Sequence, residues 1–573
     1  MLVFGDRRRT ASPAASIEAL EARLARLAPS GRARLEALSE AFVAAAELAQ
    51  GLADAVFAER GEDGPADAPD AAAAVVLELA RCLAAAWRDQ PPPASPALDG
   101  LRGQPLPPLI EPRTGEGYAF YALYPETYAE AAAGSGLGPD TLVIGLRSIG
   151  LGLAAMVAAE IGAEPPVSVR PVGHPFRREL RLSRTYQDRL RRARTVAVAD
   201  EGPGLSGSSF QAVAEALERA GAAPERVVYF PSHPGPPGPQ ADPQWRRRWE
   251  TLERRVTGFD QAVAPRLAAW VEDLTGRAQA PPVELSGGAW RGLAHPDEAA
   301  WPPADSLRER RKFRLEAAGG TWLLKFAGLG PGTAAKHARA AALAQAGFTP
   351  AMAGLRHGFL VERWIERAEA PLDRRALIER MGAYLGFRAR RFPARDDDGA
   401  PLAVLWDMAR VNAAEALGRD AAAGLDRWAE ALPDLEPRVR RVFTDNRLHP
   451  WEWIAAQDGR ILKTDAVDHA EAHDLVGAQD VAWDFAGAWA EFGLSPAEEA
   501  RLAQAAGLAP DPDLLAFLKP CYLAFQLGAF ALAAGGHGHW PAEAGRLRRR
   551  SDTYAIQLSR ALTAPSTRRE RPA

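Results

Sequence analysis

The sequence predicts a multidomain chain of mixed α/β and α+β class. Three observations predict it. Residues 1–95 carry helical periodicity alone. Between 105 and 275 short apolar strands alternate with helices, the rhythm of a parallel sheet with crossovers. From 306 a two-strand hairpin leads into a long, mostly helical region, as in a two-lobed domain. At 573 residues the chain exceeds a single core, and a rough ~150 residues per domain suggests three or four.

The first unit opens with SIEALEARLARL and continues through EALSEAFVAAAELAQGLADAVF, with apolar residues at three- and four-residue spacing. AAAAVVLELARCLAAAWRDQ adds a helix, and the prolines at 91–93 stop it. Packing is the expected role, with a homo-oligomer interface through these helices as one form of it. In the second unit TLVIGL, TVAVAD and RVVYFPSH read as strands, and LGLAAMVAAEIGA and SSFQAVAEALERAGA as helices. Parallel sheets bind ligands at the carboxyl ends of their strands. Those ends carry GLRSIG, DEGPGLSGSS and PSHPGPPG. A Pro-, Gly- and charge-rich stretch at 276–305 reads as a linker, 306–560 as the last domain, and 561–573 as a disordered tail.

Composition narrows the function. Hydrophobic residues are 47% and charged residues 25%, with a net charge of −4. No basic surface for nucleic acid is expected, so small molecules are the expected partners. Cys82 and Cys521 are the only cysteines. They build neither a disulfide framework nor a zinc cluster, which suits a reducing, cytoplasmic compartment. Charges interrupt each apolar run, so no membrane span is expected.

In DEGPGLSGSSF a strand ends in Asp200 and Glu201 and a small-residue loop opens a helix. Gly202, Gly204 and Gly207 permit close backbone approach. Ser206, Ser208 and Ser209 stand where N–H groups and the helix dipole favour an anion. The two acids would repel that anion and suit ligand hydroxyls or a magnesium ion. This order resembles the binding motif for 5-phosphoribosyl 1-diphosphate (PRPP) in type I phosphoribosyltransferases. The resemblance implies that Asp200 and Glu201 hold the ribose and that Gly204 through Ser209 hold the 5′-phosphate. It places GLRSIG, with Arg147 and Ser148, on the pyrophosphate, and gives Arg177 and Arg178 to a hood that closes over it. Pro203 and Leu205 depart from the usual loop. The segment EGYAFYALYPETYAEAA, 116–132, and the FPSHPGPPG loop would line the acceptor pocket.

In the last domain Lys325 lies within the apolar strand of GTWLLKFAG, where an ammonium must reach out or meet an anion. FLVERWIE, RVFTDNRLHPWEWI and GRILKTDAVDHAEAHDLVGAQDVAWDFAG follow. This order resembles the aminoglycoside phosphotransferase and choline kinase branch of the protein-kinase-like superfamily. The resemblance implies Lys325 on nucleotide phosphates, with ATP as the nucleotide, and FLVERWIE as the hinge between lobes. His449 and Pro450 match its histidine-proline. Asp465 matches a magnesium ligand and Asp484 a structural aspartate. Arg447 stands where the catalytic aspartate belongs, with Asp445 the nearest substitute. Glu452 replaces the magnesium-binding asparagine, and the helix after Lys325 offers no glutamate partner. His449, His469 and His473 with Asp465, Asp468 and Asp474 match no common transition-metal spacing. An active phosphotransferase, a nucleotide-binding pseudokinase and a helical domain with solvated acids all remain open.

The expected function is therefore phosphoribosyl transfer from Mg·PRPP to a small acceptor, coupled to a kinase-like domain that phosphorylates or binds the product. The alternative is a PRPP- or nucleotide-sensing or scaffold protein without turnover.

Overall fold

The computed structural model describes residues 1–563, apart from 6–8, 92, 95, 369–370 and 468. The expected tail falls almost wholly outside the described residues.

Three helices begin the chain, Pro13–Leu24, Gly31–Arg60 and Asp67–Trp87. Ser12 caps the first through its Oγ, with Pro13 at the first helical position. Gly61 ends the second in the left-handed conformation, φ 74°. These helices are not a separate arm. Phe42, Val76 and Leu83 share one core with Leu153 and Val157 of the helix Gly150–Ile161. A Cβ on Gly152 would stand 3.2 Å from Ala46 Cβ and 3.3 Å from Phe42, so a larger residue would push the helices apart. The same core takes in Phe313, Leu324 and Phe359 from beyond residue 306.

The second unit has strands β1 (Leu142–Leu146), β2 (Val167–Val169), β3 (Val172–His174), β4 (Arg177–Glu179), β5 (Val196–Ala199), β6 (Val227–Phe230) and β7 (Glu253–Arg254). Five form a parallel sheet in the order β2-β1-β5-β6-β7. β3 and β4 form a separate hairpin. After β1 the chain crosses to β2 on one side, and then to β5 on the other side of β1. The topological switch point therefore lies between β1 and β5, where such sheets open a crevice for ligands.

The expected linker is structured: β8 (Val283–Glu284) pairs with β9 (Lys312–Ala317). Arg291, buried, donates to Glu543 at 2.7 Å. The stretch reads as a linker because its prolines and charges satisfy partners remote in sequence. β9 joins β10 (Gly320–Phe326), β11 (Met352–Arg356) and β12 (Phe359–Arg363) in an antiparallel sheet ordered β11-β12-β10-β9-β8. A helical lobe follows, with short pairs of β13 (Arg441–Val442) with β16 (Gln479–Asp480) and β14 (Trp453–Ala455) with β15 (Ile461–Lys463). The chain start is threaded into this lobe. Val3 is buried there, Leu2 N–H donates to Asn412 Oδ1 at 2.6 Å, and Leu475 N–H donates to the Val3 carbonyl at 3.0 Å.

Two helices, Gly31–Arg60 and Pro512–Gly536, are long and apolar enough to cross a membrane by composition. This corrects the run-length expectation, since single charges such as Lys519 interrupt them without making them polar. Most of each apolar window is buried inside the fold.

Candidate functional sites

The first candidate site stands at the switch point. β5 delivers Asp200 and Glu201, and the helix Ser208–Arg219 begins at the end of the loop. Three glycines set the loop, with φ of 125° at Gly202, 55° at Gly204 and 60° at Gly207. Gly150 lies so close that an added Cβ would meet the Ala199 carbonyl at 2.7 Å and Asp200 Oδ1 at 3.1 Å. GLRSIG, the loop that leads into the helix Gly150–Ile161, therefore abuts Asp200. Tyr128 donates its hydroxyl to the Asp200 carbonyl at 2.8 Å, and Gly117 N–H donates to Glu201 Oε2 at 3.0 Å. Burial, then the Glu201 charge, push the Asp200 carboxyl well above its ordinary range. Burial, then the Glu116 charge, raise Glu201 to about 7. Two desolvated acids, opposed only in part by the charges of Arg178 and Arg170 on Asp200 and of His473 on Glu201, suit hydroxyl donors or a positive ion.

The loop hydroxyls are engaged by the β3–β4 hairpin. Ser206 and Ser208 donate to the Pro175 carbonyl at 2.9 and 2.6 Å. Arg178 donates to Ser209 Oγ at 3.0 Å. The hairpin is the basic segment expected to act as a hood, and it lies on the loop. A phosphate reaching these hydroxyls would have to displace the Pro175 carbonyl.

Arg147 requires a correction. It is 5% exposed and its guanidinium is spent on Asp63, on Asp54 at 3.0 Å and on Ser168 Oγ at 3.0 Å. Asp54 and Asp63 come from the end of the second helix and the turn after it, 93 and 84 positions upstream. Arg147 ties the first helices to the sheet and cannot serve as a pyrophosphate cation. Ser148, next to it, is half-exposed at the loop and stays available.

The second candidate site is a cleft of about 430 Å³ between the antiparallel sheet and the helical lobe. Lys325 reaches from β10 across it to Asp465 Oδ1. Glu452, Asp465 and His469 each offer a ligand atom, all within 4.8 Å of one another. Lys325, 140 positions from Asp465, is brought onto the single β14–β15 hairpin that carries both Glu452 and Asp465. Burial alone would raise Asp465, but Lys325 and His469 hold it well below the usual carboxylate range. Burial would likewise lower His469, and Asp465 and Asp445 instead raise it to about 9. These two carboxylates thus favour the protonated form of His469. The Glu452 and Asp465 carboxylates are hard oxygen donors that fit magnesium. Lys463 Nζ, 2.7 Å from Glu452 Oε2, and Lys325 balance their charge.

Asp445 also requires a correction. Its side chain is sealed from the cleft, 3.4 Å from Lys463 Nζ and hydrogen-bonded by Tyr384, with Arg388 behind. Its backbone N–H donates to Asp484 at 2.8 Å, and the Asn446 N–H to the same carboxylate at 2.9 Å. Asp445 is an anchor of the loop and not a base that meets substrate. Asp484 takes the structural part expected of it. Arg447 faces the cleft instead, paired with Asp474 at 3.0 Å. His449 stacks on Trp451 and lies 3.3 Å from Glu491.

The two sites share a wall. Glu116 pairs with His473 Nδ1 at 3.0 Å, and His473 lines the cleft. The neighbouring Gly117 N–H holds Glu201 of the first site. Arg310, which also lines the cleft, donates to the Ala119 carbonyl at 3.3 Å. Sequence reasoning missed His473, Glu116 and Arg310 as a junction. The aromatic run at 118–128 was the only signal there, and it pointed to an acceptor pocket.

No family model matches the chain, and no curated protein matches it by sequence. Solved structures do resemble part of it. Choline kinase LicA from Streptococcus pneumoniae is 16% identical with a TM-score of 0.31, covering 43% of this chain and 89% of that one. Spectinomycin phosphotransferase APH(9)-Ia, in complex with ADP and spectinomycin, is 9% identical with a TM-score of 0.33, covering 44% of this chain and 89% of that one. A macrolide 2′-phosphotransferase type I is 13% identical with a TM-score of 0.32, covering 50% of this chain and 95% of that one.

Proposed function

We propose that this chain is a two-site phosphate-chemistry enzyme. At the sheet edge it transfers phosphoribose from Mg·PRPP to a small acceptor. In the cleft it holds a magnesium nucleotide and phosphorylates or binds the product. The observation that carries the reading is Lys325 laid on Asp465 beside Glu452 in the cleft. That is a phosphate-binding cation next to a pair of carboxylates suited to magnesium.

The chain's own groups have defined tasks in this reading. Asp200 and Glu201 accept ribose hydroxyls, which relieves two desolvated acids. Backbone N–H groups from Gly204 to Ser209, at a helix start, hold the 5′-phosphate. The bond from the anomeric carbon to the leaving pyrophosphate breaks as the acceptor's lone pair closes on that carbon. The protein positions both partners and excludes water. In the cleft Lys325 steadies the nucleotide phosphates, and Glu452 and Asp465 would hold magnesium. That ion supplies charge neutralisation on the phosphate oxygens.

A second reading has its own observation. Asp445 is sealed and Arg447 replaces the expected base, so the cleft can bind nucleotide without transferring phosphate. Calorimetric titration separates these parts. Wild-type protein should bind both Mg·PRPP and Mg·ATP. Asp200→Ala should lose only PRPP, and Asp465→Asn only ATP. PRPP binding that survives Asp200→Ala removes the sheet-edge site. Binding of ATP without ADP formation over all acceptors supplied favours the second reading.

A further inference from the structure

We propose that the acceptor end of the cleft is an anion subsite, built on Arg367 and Arg447, whose ligand carries a sugar phosphate. The identity of that ligand, the phosphoribosylated product of the sheet-edge site, rests on the function proposed above.

The loop from Arg447 to Glu452 is flanked by guanidiniums where a carboxylate base was expected. Arg447 lines the cleft with its side chain 34% exposed, and Asp474 meets only one of its edges. Arg367 also lines the cleft and donates to the Trp451 carbonyl of the same loop at 3.1 Å. No carboxylate pairs with Arg367 among the described residues. Burial without such a partner depresses its pKa. A guanidinium has five donors, and one carbonyl leaves most of them unused. Arg310, on the shared wall, likewise has a carbonyl and the Phe120 ring as its partners. A phosphate monoester offers paired oxygens that a planar guanidinium fork binds bidentately.

The position of this subsite says which phosphate monoester. The wall Glu116–Tyr121 carries the N–H held by Glu201 on one side and the Glu116–His473 pair on the other. A compound released from the acid pair reaches the cleft by crossing one short segment. It would leave that pair as a ribosyl 5-phosphate, the feature Arg367 and Arg447 are able to recognise.

Ribose 5-phosphate serves as the probe, titrated calorimetrically into the full chain with Mg·ADP present. Two equivalents should bind to wild type. Arg367→Ala and Arg447→Ala should each weaken one equivalent by about tenfold or more; Arg367→Ala should keep its thermal stability and decides the test if Arg447→Ala, which strips the buried Asp474 of its partner, unfolds. Arg367→Lys should recover part of that loss. Asp200→Ala should remove the other equivalent. A single equivalent, lost in Asp200→Ala and untouched by the arginine variants, overturns the subsite and leaves the sheet-edge reading standing. A single equivalent lost in the arginine variants upholds the subsite and removes the sheet-edge reading. No binding overturns both.

Discussion

Glu126 is a buried acid whose ionisation should cost the fold measurable stability. It begins the short helix Glu126–Ala133 and is 2% exposed. Its Oε2 has no hydrogen-bond partner. It lines a cavity of about 80 Å³ with Trp87, Tyr124, Trp270 and His357. Burial raises its carboxyl from 4.5 to about 7, with Arg266 a weak opposing influence. The folded state therefore binds this proton more tightly than the unfolded chain does. Stability from this group is fully present below pH 4.5 and is lost as pH rises through about 7. One pKa unit is ~1.4 kcal/mol, so the loss is on the order of 3 kcal/mol once the carboxyl is ionised. Glu126→Gln removes the titration and keeps the shape. Relative to wild type, the variant should gain about 2–3 kcal/mol between pH 5 and pH 8. Urea unfolding of both proteins at the two pH values measures that difference and cancels every other titrating group. A difference that stays constant with pH would refute the assignment, because it would mean Glu126 is solvated or paired in solution.

Two further outcomes follow from the geometry. Arg147→Ala should destabilise the protein by about 3–5 kcal/mol, since the buried Asp63 loses its ion-pair partner while Asp54 keeps Arg170. A variant of unchanged stability and reduced PRPP affinity would instead restore Arg147 to the pyrophosphate. In the β3–β4 hairpin, Mg·PRPP must displace the Pro175 carbonyl from Ser206 and Ser208. Amide hydrogen exchange over residues 172–179 should therefore change when Mg·PRPP is added and not when ribose is added. Identical exchange with both ligands would place the phosphate elsewhere.

The kinase-like resemblance singled out Lys325, Glu452 and Asp465 because each stands in a short local motif. Lys325 sits mid-strand, Glu452 on a 3₁₀ turn after a proline, and Asp465 just after β15. Asp200 and Glu201 were legible for the same reason, since a strand end and a glycine loop place them together. Arg147 and Asp445 looked just as functional in the sequence. Their roles depend on partners such as Asp63, 84 positions from Arg147, and Lys463, which packs on Asp445 inside the lobe. Charge in a motif does not reveal whether it will be spent on a remote opposite charge.

The sequence by itself determined the order of units, the parallel strands with the loops at their carboxyl ends, and the placement of the two acid-rich motifs. Those features follow from local periodicity, turn residues and spacing, which are read over a few positions at a time. Only the tertiary structure decided that the first helices share a core with both sheets and that the expected linker pairs with β9. It alone brought Glu116 and His473 together as a wall between two sites. Burial and ion pairing are set by contacts between segments hundreds of residues apart, and no local pattern encodes which segments will meet.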